Sequence, residues 1–203
     1  MNALKPSIPL LSRRQLLAGW PIWLWLALTA LLLCWPALTL PLRYERAAVL
    51  QGEWWRLVSA NLVHGNGWHW LLNAASAGFQ FWLFQGLGNR RWWWAVGVIC
   101  LPANVLGMHW FSPGVSWYVG MSGALYGTAV FGGLLLLANR EWLVGGVLSV
   151  YLLGRIVYEQ LGASTADLAE LITIPVAVDA HLWGLVSGYL LAMCWWLQQR
   201  ARG

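Results

Sequence analysis

Ser122, His181, His69 and Asn73 are the residues of this chain whose types and spacing suit covalent chemistry on a carbonyl group. Ser122 stands in Gly120-Met121-Ser122-Gly123, where an apolar stretch begins. A serine hydroxyl becomes nucleophilic only beside a base, and His181, at the head of Ala180-His181-Leu182-Trp183-Gly184, is such a base. At the start of a helix, free N–H groups and the positive end of the helix dipole would favour a developing oxyanion. Taken alone, G-x-S-G favours a serine N-cap over a nucleophile. A lone histidine at the start of a span reads equally as an interfacial hydrogen-bonding group. His69 and Asn73, four residues apart, share one helical face and offer two donors to an oxyanion. Interhelical polar packing is the competing account of that pair. His64 precedes them by five residues.

The elements that must position these groups are membrane helices. Hydrophobic residues make up 60% of the 203 positions and charged residues only 9%, against about 25% charged in a soluble domain. From Trp92 to Asn139 no residue is formally charged, far beyond the roughly 20 apolar residues that cross a bilayer. Six spans are expected, at about 20–40, 68–87, 92–111, 122–138, 142–158 and 180–197, with a long first loop at 41–67 and a single transmembrane domain over 1–203. The first apolar run is too long for a signal-peptide core and ends in Pro-Leu-Arg, so it reads as a retained helix. Polar groups within such spans are costly, so each needs a partner or a function.

The charges orient the chain. With six spans, Lys5, Arg13, Arg14, Arg90, Arg91, Arg140, Arg200 and Arg202 fall on one side, and Arg43, Arg46, Arg56 and Arg155 on the other with most of the acids. Both termini are therefore expected to be cytoplasmic. The net charge of +5 is thereby assigned to topology, and nucleic acid is not an expected partner. The 18 tryptophans gather at span ends, as in Trp92-Trp93-Trp94 and Trp195-Trp196, where they anchor helices at the lipid interface. Cys34, Cys100 and Cys194 lack any metal-binding spacing, and no metal or cofactor is expected. A channel or transporter would mark its path with charges along a span, and a mere assembly protein would be supported by the tryptophans alone.

Small residues predict which helices touch. Gly123-x-x-x-Gly127 on the fourth span and Gly184-x-x-x-Gly188 on the sixth permit close backbone approach, bringing His181 to Ser122. Tyr126, one turn below Ser122, would then pack on the His181 ring. Asp179 lies two residues before His181 and points to another face of a helix, so it reads as a cap or loop acid. His109 reads as structural or interfacial. Arg155 and Glu159, at i and i+4, are expected to pair near the membrane surface.

Together, H-x4-H-x3-N, G-x-S-G-x-x-Tyr and A-H-x-x-G-x-x-x-G resemble the rhomboid intramembrane proteases. The resemblance rests on Trp55-Arg56, His64, His69, Asn73, Gly120, Ser122, Gly123, Tyr126, His181, Gly184 and Gly188. It implies an all-α membrane protein, a six-transmembrane-helix rhomboid-like bundle. Ser122 would be the nucleophile and His181 the general base of a dyad, with His69, Asn73 and the Ser122 N–H binding the oxyanion. The substrates would be membrane-anchored proteins, cut in a wet cavity that opens away from the cytoplasm, in a bacterial inner membrane. The chain length, the run Arg43-Tyr44-Glu45-Arg46 and Gly52-Glu53-Trp54-Trp55-Arg56 before Leu62-Val63-His64 are similar to the rhombosortase subfamily. Its members are associated with proteins ending in Gly-Gly, an apolar helix and a basic tail. A general rhomboid protease and a non-cutting rhomboid-like binder are the alternatives. Residues 112–119 or Ile172–Val178 are the segments expected to receive an unwound substrate strand.

Overall fold

The computed structural model describes residues 12–87 and 90–201. Lys5 and Arg202, on which the orientation partly rests, lie outside the described residues, as do the side chains of Arg13 and Arg90. Among the described residues six long helices dominate: α1 (Trp20–Leu32), α2 (Gly67–Phe84), α3 (Arg90–Phe111), α4 (Ser122–Ala138), α5 (Trp142–Gln160) and α6 (Val178–Arg200). By length and apolarity, α3, α5 and α6 are each able to cross a bilayer, and the bent pair of α1 with Pro36–Leu42 raises that number to four. Outward-facing Leu143, Val147 and Val150 of α5 are exposed, as a lipid-facing surface requires.

One expected boundary is corrected. The apolar run 20–40 is not one helix: α1 stops at Leu32, and the chain turns by 104° before Pro36–Leu42. The cause is local. Trp35 precedes Pro36, and the proline ring disfavours the α conformation at the residue before it; Trp35 sits at φ −127°, ψ 72°.

The next segment is held both by apolar packing, with Tyr44 and Val49 buried against Val105 and Met108, and by polar side chains. β1 (Tyr44–Glu45) pairs antiparallel with β2 (Trp117–Tyr118), joining Tyr44 to Tyr118 and Glu45 to Trp117. Arg46 donates to the carbonyls of Met108, His109, Ser112 and Val115, supplying donors at the C-terminal end of α3 where helix carbonyls lack partners. Arg56 is buried and donates to the carbonyls of Leu40 and Arg43 while pairing with Glu53 at 2.6 Å. The first loop and the loop before α4 thus form one unit. Trp183 of α6 fastens it further, its indole N–H donating to Ser112 Oγ at 3.0 Å.

α4 is the central helix and is buried along most of its 17 residues. α2 meets it with a polar stripe. Gln80 donates to the Leu125 carbonyl at 3.1 Å and accepts from Thr128 Oγ1 at 2.6 Å. Those bonds satisfy groups that hydrocarbon could not. On the opposite side α6 lies against α4 with almost no side chain between them. A Cβ added to Gly184 would overlap the Gly123 carbonyl, and one added to Gly188 the Gly127 carbonyl.

Candidate active site

The close α4–α6 contact fixes the site, because both helices begin at the same end of it. Ser122 is the first residue of α4, and Met121 holds the N-cap position without a side-chain cap bond. The Ser122 hydroxyl therefore does not cap its helix. It lies 3.0 Å from Nε2 of His181, in the first turn of α6. The Tyr126 ring stacks on the imidazole, with centroids 4.4 Å apart and planes 17° from parallel. That stacking limits tilting of the ring.

The other nitrogen of His181 has a partner as well. Nδ1 lies 2.8 Å from Oε2 of Glu159, in the last turn of α5. Oε1 of the same carboxylate lies 2.8 Å from Arg155 Nε. The expected pairing of Arg155 with Glu159 is present, and the Glu159 side chain has no exposed area. Asp179 is an acid of the first turn of α6 and forms no hydrogen bond with His181 among the described residues.

His69 and Asn73 approach Ser122 from α2. Asn66 caps α2 by accepting from the His69 N–H at 2.9 Å. The Gly65 N–H donates to His69 Nδ1 at 3.3 Å. Nδ1 is thereby an acceptor, so the neutral ring carries its proton on Nε2. Nε2 lies where a Cβ on Gly120 would be. Gly120 has φ +104°, a conformation that L side chains rarely adopt. Both its conformation and its neighbour thus require glycine. Asn73 Nδ2 is buried without a hydrogen-bond partner in the described structure. His64 packs edge-on against His69 with centroids 5.0 Å apart. Burial, reinforced by the neighbouring His69, pushes its pKa down to about 3, so His64 supports His69 as a neutral ring.

A cavity of about 620 Å³ is lined by His69, Asn73, Ser122, Tyr126, Glu159 and His181, while His64 lies outside its lining. Residues 114–119, 172 and 174–177 also line it, so both segments expected to receive a substrate strand border it. Trp55 and Arg56 do not line the cavity. Arg56 holds the first loop together as described above, and Trp55 is exposed.

Two neighbours escaped sequence reasoning. Tyr118 is buried, and its hydroxyl accepts from the Gly123 N–H at 3.4 Å. Burial pushes its pKa up to about 12, so the phenol stays protonated beside the head of α4. Its position before a G-x-S-G turn was the available signal. Glu159 is the other: its contact with His181 was hidden because Arg155 already completes an i, i+4 pair with it. His109 makes structural contacts: its Nδ1 lies 3.0 Å from the Tyr44 hydroxyl, and its ring packs edge-on against Tyr44, Trp54 and Trp110.

Comparison with known proteins gives two findings. The family model described as Rhomboid domain matches residues 51–198. A protein of Bacillus subtilis (strain 168) named "Putative rhomboid protease YdcA" is 31% identical over 147 residues, which cover 71% of this chain and 68% of that protein.

Proposed function

Because the chain belongs to the rhomboid family, we propose that this integral membrane protein is a serine endopeptidase that cuts membrane-anchored proteins in or beside their transmembrane segments. Ser122 is the nucleophile and His181 the general base. The observation that carries this reading is the 3.0 Å approach of His181 Nε2 to Ser122 Oγ inside a cavity.

The chemistry follows from the atoms present. As Ser122 Oγ bonds to the scissile carbonyl carbon, its proton passes to His181 Nε2 and the carbonyl π pair moves onto oxygen. His69 Nε2–H, an Asn73 Nδ2–H and the Ser122 backbone N–H are the donors assigned to that oxyanion. The imidazolium then gives its proton to the leaving nitrogen as the C–N bond breaks. Water attacks the resulting ester with His181 again as base, releasing the acid and restoring Ser122. Removing one oxyanion donor costs on the order of 10²–10³-fold in kcat. Asn73→Ala and His69→Ala are each expected to lose about that much, with KM nearly unchanged, in steady-state cleavage assays. A KM effect without a kcat effect would reassign them to substrate binding.

Six helices cross the bilayer in this reading, with both termini cytoplasmic and the cavity open to the extracytoplasmic side of a bacterial inner membrane. The charge distribution supports that orientation. A substrate helix must unwind before its amides can be attacked, and glycine lowers helix stability by about 1 kcal/mol relative to alanine. Together with the rhombosortase-like run at residues 43–56, this favours C-terminal Gly-Gly, apolar and basic sorting tails as substrates. The test is co-expression with an exported reporter bearing such a tail and mass spectrometry of the reporter's C-terminus. Cleavage at or next to Gly-Gly is expected with the wild type and not with Ser122→Ala. Cleavage elsewhere in the anchor would point to a general rhomboid protease, and an uncut reporter bound by the wild type to a non-cutting binder.

A further inference from the structure

We propose that Glu159 is a positioning residue that turns the Ser122–His181 pair into a triad, Ser122–His181–Glu159. The inference rests on the reading of Ser122 as nucleophile and adds to it an acid supplied by a third helix.

A histidine can act on Ser122 only if its Nε2 presents a lone pair to the hydroxyl. Imidazole has two neutral tautomers, and the one chosen depends on what the far nitrogen meets. Here the far nitrogen, Nδ1, meets a carboxylate oxygen at 2.8 Å. A carboxylate only accepts, so Nδ1 carries the proton and Nε2 is left free to accept from Ser122 Oγ, 3.0 Å away. The stacked Tyr126 ring restrains the imidazole from tilting but leaves it free to slide parallel to the phenol. The Glu159 bond removes that sliding. The two restraints are complementary, and each acts on a different degree of freedom.

The carboxylate is itself held in place. Its second oxygen lies 2.8 Å from Arg155 Nε, one helical turn earlier on α5, and its side chain has no exposed area. An unpaired carboxylate at such a place would be prohibitively costly; the guanidinium charge offsets that cost, while Oε1 accepts no hydrogen bond among the described residues. Arg155 in turn lies over the Tyr158 ring, 5.9 Å from its centroid. Arg155, Glu159 and His181 thus connect in succession to the nucleophile, and all three line the same cavity. When Ser122 attacks, its proton goes to Nε2, and Glu159 holds the Nδ1–H of the imidazolium without taking it. No proton moves beyond His181.

Replacing the acid of a serine-protease triad by its amide costs about 10⁴-fold. Arg155 tempers the negative charge of Glu159, so Glu159→Gln is expected to lose less, on the order of 10²-fold. The experiment measures the rate of fluorophosphonate labelling of the detergent-solubilised full chain, resolved into a maximal rate and a half-saturating probe concentration. For Glu159→Gln the maximal rate is expected to fall about 10²-fold with half-saturation unchanged, and Glu159→Asp is expected to recover part of the rate. A mere fastener between α5 and α6 would instead lower the melting temperature and move both constants. Labelling of Glu159→Gln within threefold of wild type would overturn the proposal.

A second measurement needs no variant at position 159. In ¹⁵N-histidine-labelled wild-type protein, His181 is expected to carry its proton on Nδ1, with that proton far downfield, its signals identified by their loss in His181→Ala. A proton on Nε2 instead would overturn the triad even if Glu159→Gln fails to fold. Failure of the underlying reading looks different: wild type and Ser122→Ala would then label alike.

Discussion

Ser122→Ala is expected to lower cleavage by on the order of 10⁴-fold or more, with reporter binding unchanged. No other described hydroxyl shares its position. It heads α4 and lies 3.0 Å from an imidazole nitrogen. The Tyr118 hydroxyl, which accepts from the neighbouring Gly123 N–H, is a phenol that burial keeps protonated and is not positioned by a base. His181→Ala is expected to fall nearly as far, because an alcohol without a base is a poor nucleophile at neutral pH. The sharper expectation concerns the double variant. Two groups that work as one unit are not additive, so Ser122→Ala/His181→Ala should be no slower than the worse single variant. The rate of fragment release from a membrane-anchored reporter is the measurement. Full cleavage by Ser122→Ala would remove the nucleophile and with it the mechanism. Independent, multiplying losses would mean that the two side chains act in different steps.

How much of this could be read beforehand depends on the range of each interaction. The meeting of α4 and α6 was legible because it is written twice, as Gly123-x-x-x-Gly127 and as Gly184-x-x-x-Gly188. Close approach of backbones needs small residues on both partners, and both carry them. The stacking of Tyr126 on His181 follows from that contact by one helical turn. The break after Leu32 was not legible in hydropathy, since the run stays apolar to Leu40; it is made by the backbone restriction that Pro36 places on Trp35. The contact between Glu159 and His181 was hidden for a different reason. Arg155 and Glu159 form a complete i, i+4 pair by themselves, so nothing along α5 signals a third partner. Which face of α5 meets α6 is decided by packing, and only the folded arrangement brings the last turn of one to the first turn of the other. Arg46 is similar: its four carbonyl partners lie more than sixty residues away, and the sequence marks it only as a loop cation.

The glycine contact that was easiest to read is also the most fragile feature of the site. Gly184→Ala adds one carbon where the Gly123 carbonyl already stands, and Gly123 is held by α4. A flexible side chain could move aside, but a helix backbone cannot, so α6 must shift away from α4. Overpacking of this kind typically costs about 1–3 kcal/mol, and a misplacement of about 1 Å at reacting groups can cost on the order of 10²-fold in rate. Ser122 adjoins Gly123, and His181 lies one turn before Gly184, so the displacement is centred on the catalytic contact. Gly184→Ala is therefore expected to lower both the melting temperature in detergent and the cleavage rate, the latter by about 10²-fold. Gly188→Ala meets the Gly127 carbonyl one turn further from Ser122, so it should cost stability with a smaller loss of rate. Gly146, on α5, has open space around the position of a Cβ. Gly146→Ala should therefore keep activity and gain helix stability, by up to about 1 kcal/mol. Melting curves and cleavage rates of the three variants give the comparison. If Gly184→Ala matched Gly146→Ala in both, α4 and α6 would not be in backbone contact, and the 3.0 Å approach of His181 to Ser122 would lose its support.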